Sequence, residues 1–368
     1  MKIALLTSSR ADYGIYLPLL KAINEDDFFE LYIIAFGTHL SQGHGATVDR
    51  IIADGFSVSI RVDAMPEGDS PQAITNAMGK TMINFSDVWE ANKFDLIIAL
   101  GDRFEMFAAC ASSVAFGIPI AHIHGGETTL GAIDDVFRHS ISLMATYHFT
   151  AAEEYKERVI ALKGSSKNVH NVGALSIDNL KAMSLLDIDE FKQGFGIDLS
   201  IPTILITFHP ETVDYHKNEL YAEELIAALH EIKGYQFIIT MPNVDTTGNM
   251  LRQKLNQFIS ENKHAIGVES FDALVYLSCM KHCTMMLGNT SSGFIEAGFF
   301  PKYVINLGER QKGRIQTENM HNCAIEKNAI IKAIKEFDPA KEINGVNIYG
   351  SGNAAQQIVS ILKRVTVD

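Results

Sequence analysis

Cysteine is scarce in this sequence. The 368 residues include four cysteines, at 110, 279, 283 and 323, and no two of them form a C-x-x-C pair. A zinc site or a redox pair of that type is therefore not expected. Cys279 and Cys283 lie four residues apart in a helix-like stretch and are predicted to be buried thiols. This use of cysteine favours a reducing compartment.

An excess of positive charge is also missing. The chain has 31 lysines and arginines against 44 aspartates and glutamates, which gives a net charge of -13. An acidic chain has no general electrostatic attraction for nucleic acid or for an anionic membrane, so neither is expected as a partner. An anionic ligand would have to be held by a few local basic groups. Each arginine within a motif is therefore informative.

Long apolar runs are absent as well. No run approaches the roughly 18 residues of a transmembrane helix. The N-terminal MKIALLTSSR has one lysine and a short apolar run, which is typical of a first strand and not of a signal peptide. These features predict a cytoplasmic protein. Hydrophobic residues still make up 47% of the chain, enough for sizeable cores.

Short apolar runs alternate with amphipathic stretches. KIALLTSS, FELYIIAFG, FDLIIALGD and IPIAHIHGG are typical of buried strands, and helix-like segments such as ADYGIYLPLLKAI and RFEMFAACASSVAFG stand between them. The rhythm restarts near residue 203 with TILITFHP, YQFIITMPN, CTMMLGNTSSG and KYVINLG. Apolar strands separated by helices predict parallel sheets covered on both faces. The expected fold class is therefore α/β with two Rossmann-like domains.

The predicted domains are residues 1–172 and 173–350, with the linker within 164–200. A last helix, NAAQQIVSILKRV, is expected in 351–368 and is predicted to pack back on the first domain. Open parallel sheets bind ligands beyond the carboxyl ends of their strands. The candidate site residues are therefore those directly after the apolar runs: Ser8–Arg10, Gly101–Arg103, His124–Glu127, His209–Glu211, Pro242, Asn243, Asn289–Gly293, Gly308 and Arg310.

The segment GNTSSGFIEAG, residues 288–298, has small residues and hydroxyls before a helix-like run. Backbone N–H groups at such a helix start attract phosphate. The alternative is a simple helix N-cap by Ser291 or Ser292. Glu296, one turn further on, is a candidate acceptor of hydrogen bonds from sugar hydroxyls, or else a solvated helix residue.

Three arginines stand just past predicted strands: Arg10, Arg103 and Arg310. Each alone fits a surface ion pair. Together, in an acidic chain, they indicate a diphosphate or a carboxylate as the ligand.

Two histidines lie in IPIAHIHGGETTLGAIDDVFRH, residues 118–139. His122 and His124 alternate on the predicted strand and should share one face. This H-x-H pattern fits a metal site if a later Glu or His joins it. The alternative is a pair of hydrogen-bonded histidines at a strand end.

Carboxylates are also concentrated near this stretch. Asp102, Glu127, Asp134 and Asp135 are candidates for proton transfer, because carboxylates that converge with a histidine shift one another's pKa values and separate acid from base. Asp134 alternatively caps the helix that follows it.

Six segments in chain order resemble the motifs of the hydrolysing UDP-N-acetylglucosamine 2-epimerases of sialic-acid biosynthesis. They are SSRADYG, GDRFEM, HIHGGETTLGAIDDVFRHSI, TFHPET, GNTSSGFIEAG and INLGERQKGR. A sister group, the hydrolysing UDP-N,N'-diacetylbacillosamine 2-epimerases of legionaminic-acid biosynthesis, has a similar pattern. The resemblance covers nearly the whole chain. It implies a glycosyltransferase-B fold with the active site in the interdomain cleft and no metal or cofactor. A homo-oligomer, dimer or tetramer, is expected.

The resemblance also implies roles for individual residues. Some relatives carry Glu where this chain has His124, so the assignment of acid and base stays open. The implied catalytic residues are Asp102, His124, Glu127, Asp134 and His209. The implied UDP-sugar-binding residues are Arg10, Arg103, Asn243, Thr290, Ser291, Ser292, Glu296 and Arg310, and His209 would also lie near the UDP portion.

The implied reaction is loss of UDP from the sugar with inversion at C-2. Elimination would give a 2-acetamidoglucal, and addition of water would then give free N-acetylmannosamine. Arginines would stabilise the leaving diphosphate, and acid–base groups would move the C-2 proton. The alternatives are a nucleotide-sugar-binding module without chemistry, a metal-dependent hydrolase and a glycosyltransferase of the same architecture.

Overall fold

The chain contains two parallel β-sheets, each within its own unit. A computed structural model describes residues 1–41, 47–242, 247–269, 271–339, 341, 343 and 348–365. Unit 1 comprises Met1–Glu127, Asp134–Lys181 and Ile348–Asp368, and unit 2 comprises Thr128–Ile133 and Ala182–Asn347. The chain thus enters unit 2 twice, once for the short segment Thr128–Ile133, which we call the crossing segment.

Unit 1 is built on a seven-stranded sheet in the order β3-β2-β1-β4-β5-β6-β7, with every pairing parallel. Its strands are β1 (Lys2–Thr7), β2 (Glu30–Phe36), β3 (Val58–Val62), β4 (Leu96–Leu100), β5 (Ile120–Ile123), β6 (Tyr147–Thr150) and β7 (Val169–Asn171). The strand order reverses between β1 and β4. In open α/β sheets ligands bind at that point, beyond the carboxyl ends of the strands.

Helices cover both faces of this sheet. They are α1 (Arg10–Asn24), α2 (Val48–Ala53), α3 (Pro71–Ala91), α4 (Phe104–Ser113), α5 (Asp134–Met144), α6 (Glu153–Lys163) and α7 (Leu175–Ala182). One buried cluster includes Ile3, Leu5 and Leu20, and another includes Leu6, Ile97 and Met106. Alternate side chains of β1 therefore enter cores on opposite faces, which is why its sequence is apolar throughout.

Unit 2 has a six-stranded parallel sheet in the order β10-β9-β8-β11-β12-β13. Its strands are β8 (Thr203–Thr207), β9 (Gln236–Thr240), β10 (Ala265–Val268), β11 (Met285–Gly288), β12 (Val304–Leu307) and β13 (Met320–Cys323). Its helices are α8 (Ile188–Phe195), α9 (Asn218–Glu231), α10 (Gly248–Glu261), α11 (Ala273–His282), α12 (Glu296–Phe299) and α13 (Lys327–Lys335). The order reverses between β8 and β11. Both units are Rossmann-like, and the predicted α/β class is confirmed.

The last helix, α14 (Ala354–Val365), lies in unit 1 against α1. The Asp178 carboxylate accepts hydrogen bonds from the backbone N–H groups of Ala354 and Ala355, at 3.0 and 2.8 Å. Ile358 and Leu362 are fully buried in the core of unit 1. An acceptor at its N-terminus and an apolar face toward the core hold this helix in place.

The thiols of Cys279 and Cys283 are free and buried, as predicted. Burial raises the pKa of the Cys283 thiol to about 12. Among the described residues, no helix is long and apolar enough to cross a membrane.

Candidate active site

Unit 1 places two of the predicted strand ends side by side at its switch point. β1 runs into Ser8–Arg10, and β4 runs into Gly101–Arg103. The Asp12 carboxylate accepts hydrogen bonds from the backbone N–H groups of Ser8 and Ser9, both at 2.7 Å, and forms a capping box with Ser9. This fixes the turn that starts α1, and Arg10 is the partly exposed first residue of that helix.

Arg103 forms an ion pair with Glu105, two residues further on, at 3.1 Å. Glu105 is buried at the start of α4, while Arg103 remains partly exposed. The guanidinium is thus held at the carboxyl end of β4 by a buried carboxylate. Any anionic ligand would approach an arginine that already has one partner.

Asp102 pairs with Arg138, a residue that the sequence pattern does not single out. The Arg138 guanidinium, on α5, donates a hydrogen bond to the Asp102 carboxylate. The Arg138 side chain is 4% exposed, whereas that of Asp102 is 21% exposed. A buried arginine therefore orients a carboxylate that solvent or a ligand can still reach.

His122 is a structural link between β4, β5 and α5. Its Nε2 is 2.8 Å from the Gly101 carbonyl oxygen, and its Nδ1 is 3.0 Å from the Ser142 hydroxyl. A carbonyl can only accept, so Nε2 carries the proton and Nδ1 accepts from Ser142. Burial lowers the pKa of His122 to about 3, so the ring is neutral near pH 7.

His124 does not continue the alternation expected from the sequence. β5 ends at Ile123, and His124 has a left-handed backbone with φ of 65°. The prediction that His122 and His124 share one strand face is therefore wrong, because the chain turns at the second histidine. Gly126 follows with φ of 81°, and a Cβ there would collide with the backbone of Tyr155.

His124 and Glu127 form a buried pair. Nδ1 of His124 is 2.6 Å from Oε1 of Glu127, and the two side chains are 8% and 3% exposed. Nε2 of His124 is buried and has no hydrogen-bond partner among the described residues. A carboxylate at this depth needs a close partner, and the imidazole supplies it.

Asp134 is the first residue of α5, and Asp135 follows it with a contact of 3.6 Å to His139. Asp102, His124, Glu127 and Asp134 thus all belong to unit 1, at or just after the carboxyl ends of β4 and β5. Four of the five predicted catalytic residues occupy this region. The fifth, His209, belongs to unit 2.

Between Glu127 and Asp134 the chain belongs to unit 2. In this crossing segment, the backbone N–H of Leu130 donates to the carbonyl of Lys312 at 3.0 Å, and that of Ile133 donates to the Thr212 hydroxyl at 2.9 Å. A Cβ on Gly131 would lie 2.5 Å from the backbone of Glu309. The sequence gives no signal for this docking, because the segment lies between a strand and a helix of unit 1.

In unit 2, the ends of β8 and β11 are joined by Asn289. Its side-chain amide accepts from the backbone N–H of His209 at 2.7 Å and donates to the His209 carbonyl at 2.8 Å. Asn289 is fully buried. Gly288 precedes it with φ of 145°, and a Cβ there would collide with the backbone of Thr207. The position of His209 is thus set by neighbouring strand ends.

The segment after β11 differs in detail from its prediction. Its cap is Thr290, whose hydroxyl accepts from the Ser292 backbone N–H, and not Ser291 or Ser292. The helix that follows, α12, has four residues, which is too short for the predicted helix-end attraction of phosphate. The hydroxyl-bearing residues Thr290, Ser291 and Ser292 are partly exposed.

Glu296 is 8% exposed and is therefore not the solvated helix residue considered above. Tyr276 interacts electrostatically with it, and the Tyr276 hydroxyl is 3.5 Å from that of Thr207. Burial raises the pKa of the Tyr276 hydroxyl. Tyr276 was not selected from the sequence, because it lies inside α11 and not at a strand end.

Arg310 lies in a loop held by several buried side chains. The Glu211 carboxylate accepts from the backbone N–H of Glu309 at 2.8 Å, and Arg310 itself donates from Nε to the Pro210 carbonyl at 3.3 Å. Burial raises the pKa of Glu211. Gln311 donates to the Asn289 carbonyl at 2.9 Å, which joins this loop to the end of β11. Arg310 is therefore fixed at its base and partly exposed.

The predicted binding residue Asn243 lies outside the described residues. Across the part of the chain that is described, no group of three or more His, Cys, Asp or Glu is placed to hold a metal ion. The histidine of the H-x-H pattern that lies within β5, His122, is engaged by a carbonyl and a hydroxyl instead.

Comparison with known proteins gives a consistent result. A family model described as UDP-N-acetylglucosamine 2-epimerase matches residues 21–363. The polysialic acid biosynthesis protein P7 of Escherichia coli is 34% identical, over 98% of this chain and 93% of that protein. The UDP-N,N'-diacetylbacillosamine 2-epimerase (hydrolyzing) of Legionella pneumophila is 30% identical, over 99% of this chain and 96% of that protein.

A solved structure has the same fold. The UDP-GlcNAc 2-epimerase from Neisseria meningitidis, bound to UDP-GlcNAc, matches with a TM-score of 0.82 at 19% identity, over 99% of this chain and 100% of that one. At this identity the likeness shows the fold, and it confirms the predicted glycosyltransferase-B class.

Proposed function

The chain belongs to the UDP-N-acetylglucosamine 2-epimerase family, and on that premise we propose that it is the hydrolysing type of this enzyme. The substrate is UDP-N-acetylglucosamine, and the products are N-acetylmannosamine and UDP. The names of two relatives support this, since one is a polysialic acid biosynthesis protein and the other is a hydrolyzing 2-epimerase.

The observation that carries the proposal is the concentration of acid–base groups at one edge of unit 1. Asp102 remains partly exposed beside its arginine, and the buried His124–Glu127 pair follows the neighbouring strand. A module that only bound a nucleotide sugar would have no need for a buried histidine–carboxylate pair. Proton transfer at an unactivated C-2 does need positioned acids and bases.

The proposed reaction has two steps, which are elimination of UDP and addition of water to the sugar. Departure of UDP from C-1 provides the driving force for removal of the C-2 proton, and this elimination gives a 2-acetamidoglucal. Water then adds across the double bond: its hydroxyl goes to C-1, and a proton goes to C-2 on the opposite face. Asp102, Glu127, Asp134 and the histidines His124 and His209 are the proposed groups for these proton transfers.

The diphosphate needs cationic and N–H or O–H donors. In unit 2 the partly exposed Arg310 and the hydroxyls of residues 290–292 are the proposed UDP-binding groups, with Glu296 as an acceptor for sugar hydroxyls. Arg10, Arg103 and Asn243 complete the proposed set. A guanidinium held at its base stabilises developing charge on a leaving diphosphate without further reorganisation.

Incubation with UDP-N-acetylglucosamine in deuterated water tests the proposal. NMR should show free N-acetylmannosamine with deuterium at C-2, because the returning proton comes from a solvent-exchangeable acid. A product without deuterium there contradicts elimination and hydration. Turnover in the presence of chelator separates this enzyme from a metal-dependent hydrolase, and release of free sugar without an acceptor separates it from a glycosyltransferase.

UDP-N,N'-diacetylbacillosamine is the second candidate substrate. The L. pneumophila relative named for that activity aligns over nearly the full length of both chains. Equal concentrations of the two UDP-sugars, offered together, should give a clear ratio of kcat/KM from the relative rates of product formation. A ratio in favour of the diacetylated sugar would replace the first substrate with the second.

A further inference from the structure

His122 and His124, which are separated by one residue, differ in which ring nitrogen is a hydrogen-bond donor. His122 donates from Nε2 to a backbone carbonyl and accepts at Nδ1 from Ser142. His124 places Nδ1 against the Glu127 carboxylate at 2.6 Å. When Glu127 is ionised its oxygen can only accept, and this places the His124 proton on Nδ1. The lone pair of a neutral His124 is therefore on Nε2, the atom without a partner among the described residues.

We propose that Glu127 is a positioning residue that acts through His124, and that Nε2 of His124 is the atom that takes up and releases a proton. This rests on the proposed function and reassigns the roles within it. When Nε2 takes a proton, the ring becomes an imidazolium whose second N–H stays bonded to Glu127. When Nε2 gives the proton back, the neutral Nδ1–H tautomer is restored. No other bond in the pair changes.

The geometry favours this division over direct action by Glu127. Glu127 is the more deeply buried of the two side chains, at 3% exposed. One of its oxygens is already bonded to His124. A carboxylate in this position stabilises the imidazolium form and fixes the ring orientation, as an orienting carboxylate does in nucleophile–histidine–carboxylate sites.

Charged and titratable groups lie on several elements next to His124. Glu127 faces its Nδ1, and the neutral His122 lies on the preceding strand. Arg158, on α6, donates to the Gly126 carbonyl at 2.7 Å. Arg138 of α5 is paired with Asp102. Within this group of neighbours, Glu127 is the carboxylate that bonds the His124 ring.

A double-mutant cycle tests the dependence of Glu127 on His124. The variants are His124→Asn, Glu127→Gln and the double substitution, since Asn tolerates the left-handed backbone of position 124 better than most residues. Glu127→Gln alone should lower kcat by roughly ten- to hundred-fold, the effect of losing a hydrogen bond to a charged group. In the His124→Asn background the same change should have almost no further effect on kcat. If the fold-losses in kcat of the two single substitutions multiply in the double variant, the proposal is overturned.

The pH profile gives a readout that a purely structural role would not move. Glu127→Gln removes the carboxylate partner of the His124 ring, so the profile of kcat/KM against pH should differ in shape from that of the parent. A profile that superimposes on the parent's would show that Glu127 does not act through this ring. The matched control is His264→Asn, on the exposed surface of unit 2, which should leave kcat and the profile unchanged.

The tautomer itself is measurable without substrate. Protein labelled with ¹⁵N-histidine should show His124 as the Nδ1–H form and His122 as the Nε2–H form at neutral pH, each assigned by its own substitution. A neutral His124 with the proton on Nε2 overturns the proposal. If the unchanged enzyme releases no UDP from either sugar, the proposed function fails, and the tautomer still decides this inference separately. If the enzyme releases UDP but the effects of the two substitutions on kcat multiply, this inference fails and the proposed function stands.

Discussion

The Arg138 guanidinium, buried on α5, donates a hydrogen bond to the Asp102 carboxylate at the end of β4. The same helix contributes Ser142, whose hydroxyl is 3.0 Å from His122 on β5. α5 is therefore attached to the ends of two adjacent strands by polar side chains. The rigid element places one carboxylate where a ligand can reach it and keeps its partner out of water.

Asp102→Asn should lower kcat by roughly 10²-fold or more, as for loss of a general acid or base. The asparagine amide has the same size and still offers an acceptor to Arg138, but it cannot act as a general acid or base at physiological pH. UDP affinity, measured by calorimetry, should change little. Asp54→Asn is the control, because Asp54 also pairs with an arginine, Arg50, at 2.9 Å, on the surface of the same unit.

The fold of the Asp102 variant can be checked with the single tryptophan of the chain, Trp89, which is buried in unit 1. An unchanged urea midpoint of its fluorescence, together with the loss of kcat, assigns the loss to chemistry. Normal turnover by Asp102→Asn would exclude this carboxylate from the proton transfers.

Arg310→Ala should weaken UDP binding by roughly ten- to hundred-fold, because the diphosphate loses a charged hydrogen-bond partner. The proton-transfer groups of unit 1 are unchanged, so kcat at saturating substrate should fall less than affinity. The control is Arg252→Ala, whose ion pair with Glu269, at 2.6 Å, lies on the exposed surface of the same unit. Equal affinity in the two variants would remove Arg310 from the proposed UDP site.

The sequence predicted those parts of the fold whose strands are apolar throughout. β1, β2, β4, β5, β8, β9, β11 and β12 follow the predicted runs. β3, β6, β7, β10 and β13 were not foreseen, because they lie at or next to the edges of the sheets and polar residues such as His148 and Asn322 interrupt their apolar pattern. An edge strand needs fewer apolar contacts, so its pattern is weaker.

The candidate site was predictable where it depends on strand ends and not where it depends on partners from helices. Asp102 and Glu127 follow apolar runs, and topology brings such positions together. Arg138, which orients Asp102, lies inside a helix and has no local signal beyond its charge. Docking of the crossing segment on unit 2 likewise depends on tertiary contacts, here the close approach of Gly131 to Glu309.

Gly131→Ala tests the crossing segment. A Cβ at this position would lie 2.5 Å from the backbone of Glu309, so the segment or the Arg310 loop must move. UDP affinity and kcat should both fall, since Arg310 adjoins one side of the contact and Glu127 and Asp134 flank the segment.

Gly79→Ala is the control, because Gly79 lies in the exposed middle of α3 and a Cβ added there would have nothing within 4 Å. It should stabilise unit 1 by about 0.5–1 kcal/mol and leave kinetics unchanged. Wild-type kinetics in Gly131→Ala would show that the contact is unimportant.

Acid should destabilise unit 1 through its buried histidines. Burial lowers the pKa of His122 to about 3 and that of His148, its neighbour on β6, to about 4. The unfolded chain titrates its histidines near pH 6.5, so below that pH it binds more protons than the folded unit does. Their contribution to stability is therefore complete above about 6.5 and is lost as the pH falls toward the folded pKa values.

His148→Leu isolates one of these histidines. Each buried neutral histidine should cost roughly 1.4 kcal/mol of stability for every pH unit below the unfolded value, until its own folded pKa is reached. Urea unfolding of unit 1, followed by Trp89 fluorescence across this range, should therefore show a weaker fall with decreasing pH in the variant than in the parent. The other titrating groups are common to both proteins, and among them His122 is the one whose pKa the charge of His148 also lowers. An identical pH dependence would mean that His148 titrates alike in the folded and unfolded chain, and that its burial does not set the acid limit of this unit.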